Sequence, residues 1–103
     1  MDHVLWPQFQ SLTQQKIPFR LFWINCDWLD RFGPVEKIHL RQVSWKIESH
    51  EQGAQIRQIR ELLKENQIPL EFPILVAAED LSEAQGLQKK LNEFLPNVFY
   101  IKV

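Results

Sequence analysis

The chain has 103 residues, the size of one domain, and 45% of them are hydrophobic. Four Trp and seven Phe argue against a disordered protein, because they supply ample surface for burial. A net charge of −1 gives no general attraction for nucleic acid or an anionic membrane, and a single cysteine excludes an internal disulfide.

The N-terminal segment and the hydropathy pattern favour a cytoplasmic protein. Residues 1–12, MDHVLWPQFQSL, lack the basic region and apolar stretch of a signal peptide. No apolar run approaches the ~20 residues that a membrane-spanning helix needs. We therefore expect a cytoplasmic chain that does not depend on an oxidising compartment.

The first quarter of the chain predicts a short helix and then a buried strand. Apolar residues recur at helical spacing within residues 3–15. From Ile17 to Asn25 apolar residues occupy both faces of an extended chain. This pattern indicates a strand in the interior of a sheet.

The segment from Lys37 to Glu48 alternates between apolar and polar residues and predicts a second strand. The alternation shifts by one residue near Arg41, as a β-bulge would cause, and one face is polar, as on an edge strand. Gly33 and Pro34 mark a turn before it. Because only about ten residues join the two strands, we expect them to pair as an antiparallel hairpin.

The second half predicts two helices that alternate with two strands. Ser49 and Gln52 resemble a capping box at the start of a helix. The continuous apolar run from Phe72 to Ala78 is typical of a buried, parallel strand. Asp80 caps the next helix, and Val98 to Val103 forms the last strand.

The element order α-β-β-α-β-α-β predicts a single α/β domain over residues 1–103. We expect a four-stranded mixed sheet of order 2-1-3-4 or 2-1-4-3 with flanking helices, in which the first strand runs against the others. The hairpin would place Asp27 and Asp30 at one end of the sheet and His50 at the other. The stretch FWINCDWLD, residues 22–30, would then be only the exit of a buried strand into water.

No constellation in the sequence predicts a catalytic centre. Thiol chemistry would pair Cys26 with His39 or His50, but a lone cysteine is usually a small buried hydrophobe. The three glycines are scattered, and acidic residues open the predicted helices, which argues against a nucleotide cofactor. We therefore expect no catalytic residues and no cofactor.

Asp27 and Asp30 are weak candidates for metal ligands. They would act with Glu36 and His39, but the chain has no CxxC or HxxxH spacing. A nuclease-like site needs Glu-x-Lys on the second strand, and residues 46–48 carry the reverse order. We expect no metal site.

The aromatic content favours a role in association. The candidate interface residues are Trp6, Trp28, Phe32 and Trp45, and tryptophan is enriched at interface hot spots. An open edge strand also invites pairing with a partner or a second copy. The leading hypothesis is a small, non-enzymatic protein-interaction domain, either an adaptor or accessory subunit or a homodimer.

The alternative hypothesis is a nucleic-acid-binding or metal-dependent nuclease-like protein. Lys37, His39 and Arg41 would share one face of the second strand, with Lys46 beyond the bulge. The stacking platform is incomplete, because the nearest tryptophan has the opposite phase. By contrast, an arrangement with Asp27, Glu48 and His50 around one cleft would favour an enzyme.

Overall fold

The computed structural model describes residues 9, 11, 15 and 18–103, so most of the predicted helix over residues 3–15 lies outside the described residues. Four strands and three helices alternate from residue 20 onward. They are β1 (Arg20–Ile24), α1 (Pro34–Val43), β2 (Ser44–Ile47), α2 (Gln52–Glu65), β3 (Ile74–Ala78), α3 (Leu81–Leu91) and β4 (Val98–Lys102). A 3-10 turn, Leu29–Arg31, lies between β1 and α1.

The sheet has the order β2-β1-β3-β4, and all three strand pairs are parallel. Of the two predicted orders, 2-1-3-4 is the observed one, whereas the prediction of a mixed sheet is wrong. Ile24 lies opposite Ile47 on β2 and Ala78 on β3, so these strands end level with one another. The connections that follow them therefore leave from the same edge.

The predicted hairpin is wrong because a helix, α1, separates the first two strands. Gly33 is its N-cap and Pro34 occupies the first helical position. Proline is well tolerated there, since its missing N–H would have no partner within the helix. The dipeptide that suggested a tight turn is thus a helix start, and β1-α1-β2 is a parallel crossover.

The apolar alternation between Lys37 and Glu48 mixes two faces of α1 with the short strand β2. Leu40 and Val43, three residues apart, are buried on one face, whereas Ile38 is 60% exposed. The predicted strand is therefore wrong before residue 44, and no β-bulge is needed to explain the shift in phase. Only the last part of the segment is extended.

The sheet is covered on both faces. Phe22 and Ile24 belong to a core formed with α2 and α3, while Leu21 and Trp23 belong to a second core formed with α1 and Phe9. The prediction that the first strand is interior and apolar on both faces is confirmed. Because α1 lies on one face and α2 and α3 on the other, the chain winds in both directions from β1.

The later elements agree with the sequence pattern apart from one cap. Asp80 caps α3, because its Oδ1 accepts hydrogen bonds from the backbone N–H groups of Ser82 (2.7 Å) and Glu83 (3.3 Å). The predicted capping box of α2 is wrong, since Glu51 is the N-cap and makes no side-chain cap bond. In the described part of the chain, every helix is too short or too polar to cross a membrane.

Candidate ligand-binding cleft

The parallel sheet brings the connections after β1, β2 and β3 to one edge. In open α/β sheets, ligands bind outside the carboxyl ends of the strands, where neighbouring connections diverge to opposite faces. Here a cleft of about 460 Å³ opens at that edge. We call it the carboxyl-edge cleft. Its lining residues are Asn25, Cys26, Asp27, Lys46, Glu48, Ser49 and His50.

The cleft overturns the expectation that the acidic segment and the histidine lie at opposite ends of the sheet. Asp27, Glu48 and His50 all line it. The cause is the α1 crossover, which makes β1 run in the same direction as the other strands. From the sequence, we expected such an arrangement to favour an enzyme over a strand that merely ends in polar residues.

Asn25 joins the end of β1 to the β2–α2 loop, residues 48–51. Its backbone is left-handed, with φ 54°, a conformation that asparagine tolerates better than most residues. Its side-chain Oδ1 accepts a hydrogen bond from the N–H of Ser49 (3.0 Å), and its Nδ2 donates to the Ser49 carbonyl (2.8 Å). The backbone N–H of Asn25 donates to Ile47 (2.8 Å). Asn25 is therefore a clamp on this loop.

Two residues that the sequence pattern did not identify as part of a site support this clamp. Gln55 is only 2% exposed, and its Nε2 donates to the Ser49 carbonyl (2.7 Å) and to Glu83 Oε2 (3.3 Å). Asn25 Nδ2 lies 3.5 Å from the same Glu83 oxygen. The available signal was the position of Gln55, four residues before Ile59, on the buried face of α2.

The charged groups of the cleft carry an excess of negative charge. Lys46 Nζ lies 3.6 Å from Asp27 Oδ2 and 3.7 Å from Glu48 Oε1. One ammonium therefore faces two carboxylates, and Glu79 and Asp80 follow the neighbouring strand β3. Such a surface attracts cations and repels phosphates.

Cys26 is a buried thiol and not an activated nucleophile. Its Sγ donates to the carbonyl of Ala77 (3.5 Å). Burial, reinforced by the carboxylates of Glu79, Asp27 and Glu83, raises the pKa of Cys26 to about 12. Because the thiolate is the reactive form, this thiol is a poor nucleophile at neutral pH.

The basic residues proposed to contact nucleic acid do not form one face of a strand. Lys37, His39 and Arg41 lie on α1, where only the first and third share a side. The His39 ring packs edge-on to Phe19 at 6.1 Å, and its Nε2 is buried with no hydrogen-bond partner within the described part of the chain. Lys46 is held by carboxylates on β2. Nucleic-acid binding stays a prediction, without the shared face that motivated it.

The weak metal-ligand candidates are both engaged by other groups. Asp30 is fully exposed and lies 3.7 Å from Lys37. Asp27 accepts a hydrogen bond from the N–H of Leu29 (3.1 Å) besides its ion pair with Lys46. Among residues 18–103 and the few described before them, no three His, Cys, Asp or Glu side chains are grouped so that they could hold a metal ion.

The candidate interface aromatics take part in packing within the chain. Phe32 is buried and meets Phe9 edge-on, with ring centroids 5.6 Å apart. Trp45 stacks on Phe22 at 5.4 Å, and Trp28 carries an arginine guanidinium 4.0 Å above its ring. Trp6 lies outside the described residues. Their role in an interface stays a prediction.

Comparison with models of known protein families finds no match to this chain. No curated protein and no solved structure is significantly similar to it.

Proposed function

We propose that the protein binds a small cationic molecule in the carboxyl-edge cleft, with Asp27 and Glu48 as its charged contacts. The observation that carries the proposal is the convergence of Asp27, Glu48 and His50 on one cleft. Binding of a cation replaces protein association as our leading hypothesis, because the predicted hairpin that would have separated these three residues does not form.

The size and position of the cleft support a small-molecule site. Ligand sites usually measure roughly 300–1,000 Å³ and combine apolar walls with a few convergent polar groups. This cleft, at about 460 Å³, is within that range. It also lies at the sheet edge where α/β domains gather ligands.

The charge of the cleft supports a cation. Asp27 and Glu48 already hold one ammonium group, that of Lys46, so their spacing suits this chemistry. The single positive charge of Lys46 does not neutralise both carboxylates, so a net negative charge remains to attract the ligand. His50 adds an imidazole ring, which can both donate and accept hydrogen bonds.

A titration followed by NMR tests this proposal with n-butylammonium chloride as the probe and sodium butyrate as the matched anion. We expect saturable shifts of the backbone amides of Asp27, Glu48 and His50 with butylammonium only, weakening as salt is added. Asp27→Asn or Glu48→Gln should lower the affinity about fivefold, as the loss of about 1 kcal/mol implies.

Asp30→Asn is the control for this titration, because Asp30 belongs to the same connection but does not line the cleft. It should bind butylammonium as the wild type does. Tighter binding of butyrate, or shifts that are the same in all variants, would contradict a cationic ligand.

Self-association is a second candidate function, supported by the position of β2. This strand ends the sheet, and among the described residues it pairs only with β1. No described residue pairs with the backbone groups on its other side, which is where a second copy of the chain would add a strand. Half-buried Trp45 lies on this edge strand.

Light scattering coupled to size-exclusion chromatography tests self-association over a wide range of protein concentrations. We expect a dimer that Trp45→Ala weakens, with circular dichroism as the check that the variant is folded. A monomer at every concentration would remove this candidate.

A further inference from the structure

At the wall of the carboxyl-edge cleft, two amide groups and two acceptors form a closed set of hydrogen bonds. The Nδ2 of Asn25 and the Nε2 of Gln55 are the donors, and each faces both the Ser49 carbonyl and Glu83 Oε2. A side-chain amide nitrogen carries two hydrogens, so each donor has one for each acceptor. We call these four groups the amide square.

We infer that Gln55 and Glu83, which do not line the cleft, are positioning residues that fix the β2–α2 loop and so set the affinity of the cleft for its ligand. This inference rests on the proposed function. It extends that function from the residues that contact the ligand to a second set that holds them in place.

The loop is held by the amide square together with the bond that the Ser49 N–H donates to Asn25 Oδ1. It spans residues 48–51 and supplies Glu48, Ser49 and His50 to the cleft. The side chain of its last residue, Glu51, makes no cap bond to α2. Within the loop, Ser49 Oγ accepts the Glu51 N–H (3.2 Å), a local contact that does not join the loop to another element.

The amide square joins three elements that the sheet alone does not hold together. Asn25 follows β1, Gln55 lies on α2 and Glu83 on α3. Because Gln55 is 2% exposed, water cannot readily replace the two bonds that it donates. Without them, Asn25 Nδ2 is the one donor of the amide square that remains for both acceptors. Substitution of Gln55 or Glu83 should therefore change the position of the loop.

Gln55→Glu is the sharpest test, because it keeps the shape of the side chain and turns the donor into an acceptor. The new carboxylate would face the Ser49 carbonyl and Glu83, so the loop should move away. Gln42→Glu is the matched control, since it makes the same change at an exposed position on α1.

Two quantities are measured in each variant, the hydrogen exchange of the Ser49 amide and the affinity for n-butylammonium. In Gln55→Glu two donated bonds are lost, and we expect exchange roughly tenfold faster and affinity roughly tenfold weaker, about what loss of the bond to the charged Glu83 alone would produce. Gln42→Glu should match the wild type in both. Affinities are compared for the folded fraction, determined from the free energy of unfolding of each variant.

Glu83 provides a second pair of variants in case Gln55→Glu does not fold. Glu83→Gln retains an acceptor oxygen and should keep most of the wild-type affinity, whereas Glu83→Ala should lose about as much as Gln55→Glu. Rescue by the conservative variant would support positioning, since a general loss of packing would not depend on the acceptor.

Wild-type exchange at Ser49 and wild-type affinity in folded Gln55→Glu, or in folded Glu83→Ala, would overturn the inference. If butylammonium fails to bind the wild type, the proposed function fails. The exchange of the Ser49 amide then decides alone whether the amide square fixes the loop.

Discussion

Asn25 has two separable roles at the end of β1, one of its backbone and one of its side chain. Its backbone takes a left-handed conformation, and its side chain holds both the N–H and the carbonyl of Ser49. The sequence showed that an apolar run stops at this asparagine, but it could not show the clamp. That contact joins residues 24 positions apart and depends on β1 and β2 being parallel.

Substitutions at Asn25 should separate these two roles. Asn25→Gly keeps the backbone conformation and loses only the side-chain bonds, whereas Asn25→Ala also forces a residue with a Cβ into the left-handed region. We expect the alanine variant to be less stable than the glycine variant by about 1 kcal/mol. Urea denaturation measures the difference, and equal stabilities would show that the conformation costs alanine nothing.

Cys26 should reveal its burial through its pH dependence. Its pKa is raised from 9.0 to about 12, so between these values the unfolded chain loses the thiol proton while the folded chain keeps it. The folded state then binds more protons, and its stability must fall as the pH rises above 9. Below that pH, Cys26 adds no pH dependence.

Denaturation of the wild type and Cys26→Ala at several alkaline pH values measures this effect. We expect the wild type to lose stability more steeply than the variant above pH 9. Parallel curves would contradict the burial of the thiol. The native protein should also react slowly with iodoacetamide at pH 8 and rapidly once it is unfolded.

At the scale of the element, α1 shows why a strand and a helix were confused. Alternating apolar residues suggest a strand, yet in α1 only Leu40 and Val43 are buried, at helical spacing. Ile38 and Leu40 together made the alternating pattern, but Ile38 is exposed. Its exposure depends on which face of the helix packs against the sheet. The continuous run of β3 could be predicted, because it is buried whichever element covers it.

Leu40→Ala and Ile38→Ala should therefore differ widely in their effects on stability. Leu40 is fully buried, so its truncation should cost about 2–5 kcal/mol, whereas truncation of the largely exposed Ile38 should cost about 0.5 kcal/mol or less. In the strand expected from the sequence the two side chains would share a face and lose similar amounts. Chemical denaturation of both variants distinguishes the two arrangements.

At the scale of the whole molecule, the direction of a single strand decides where the site lies. The sequence limited the strand order to 2-1-3-4 or 2-1-4-3 and predicted the double burial of β1, because both follow from the hydrophobic pattern. It missed the direction of β1 relative to the rest, since that depends on reading one short helix correctly. The cleft was missed for the same reason, although its charged residues and its histidine had each been considered for a functional role.

The order of the sheet also predicts how stability is distributed in the molecule. β1 and β3 are central and buried on both faces, while β2 and β4 each pair with one strand among the described residues. We expect the amides that hydrogen-bond between β1 and β3 to exchange only on global unfolding, and those between β1 and β2 to exchange sooner. Native-state hydrogen exchange measures both, and equal protection across the sheet would contradict this order.

The donors of the amide square make the molecule sensitive to chemical ageing. Asparagine side chains deamidate spontaneously in water, and at position 25 the product would be a carboxylate facing the Ser49 carbonyl and Glu83. The side chain of residue 25 would then no longer donate to these two acceptors, and the loop would be held less firmly while the two cores stayed packed. Hydrolysis of this one side-chain amide would remove two of the four bonds of the amide square.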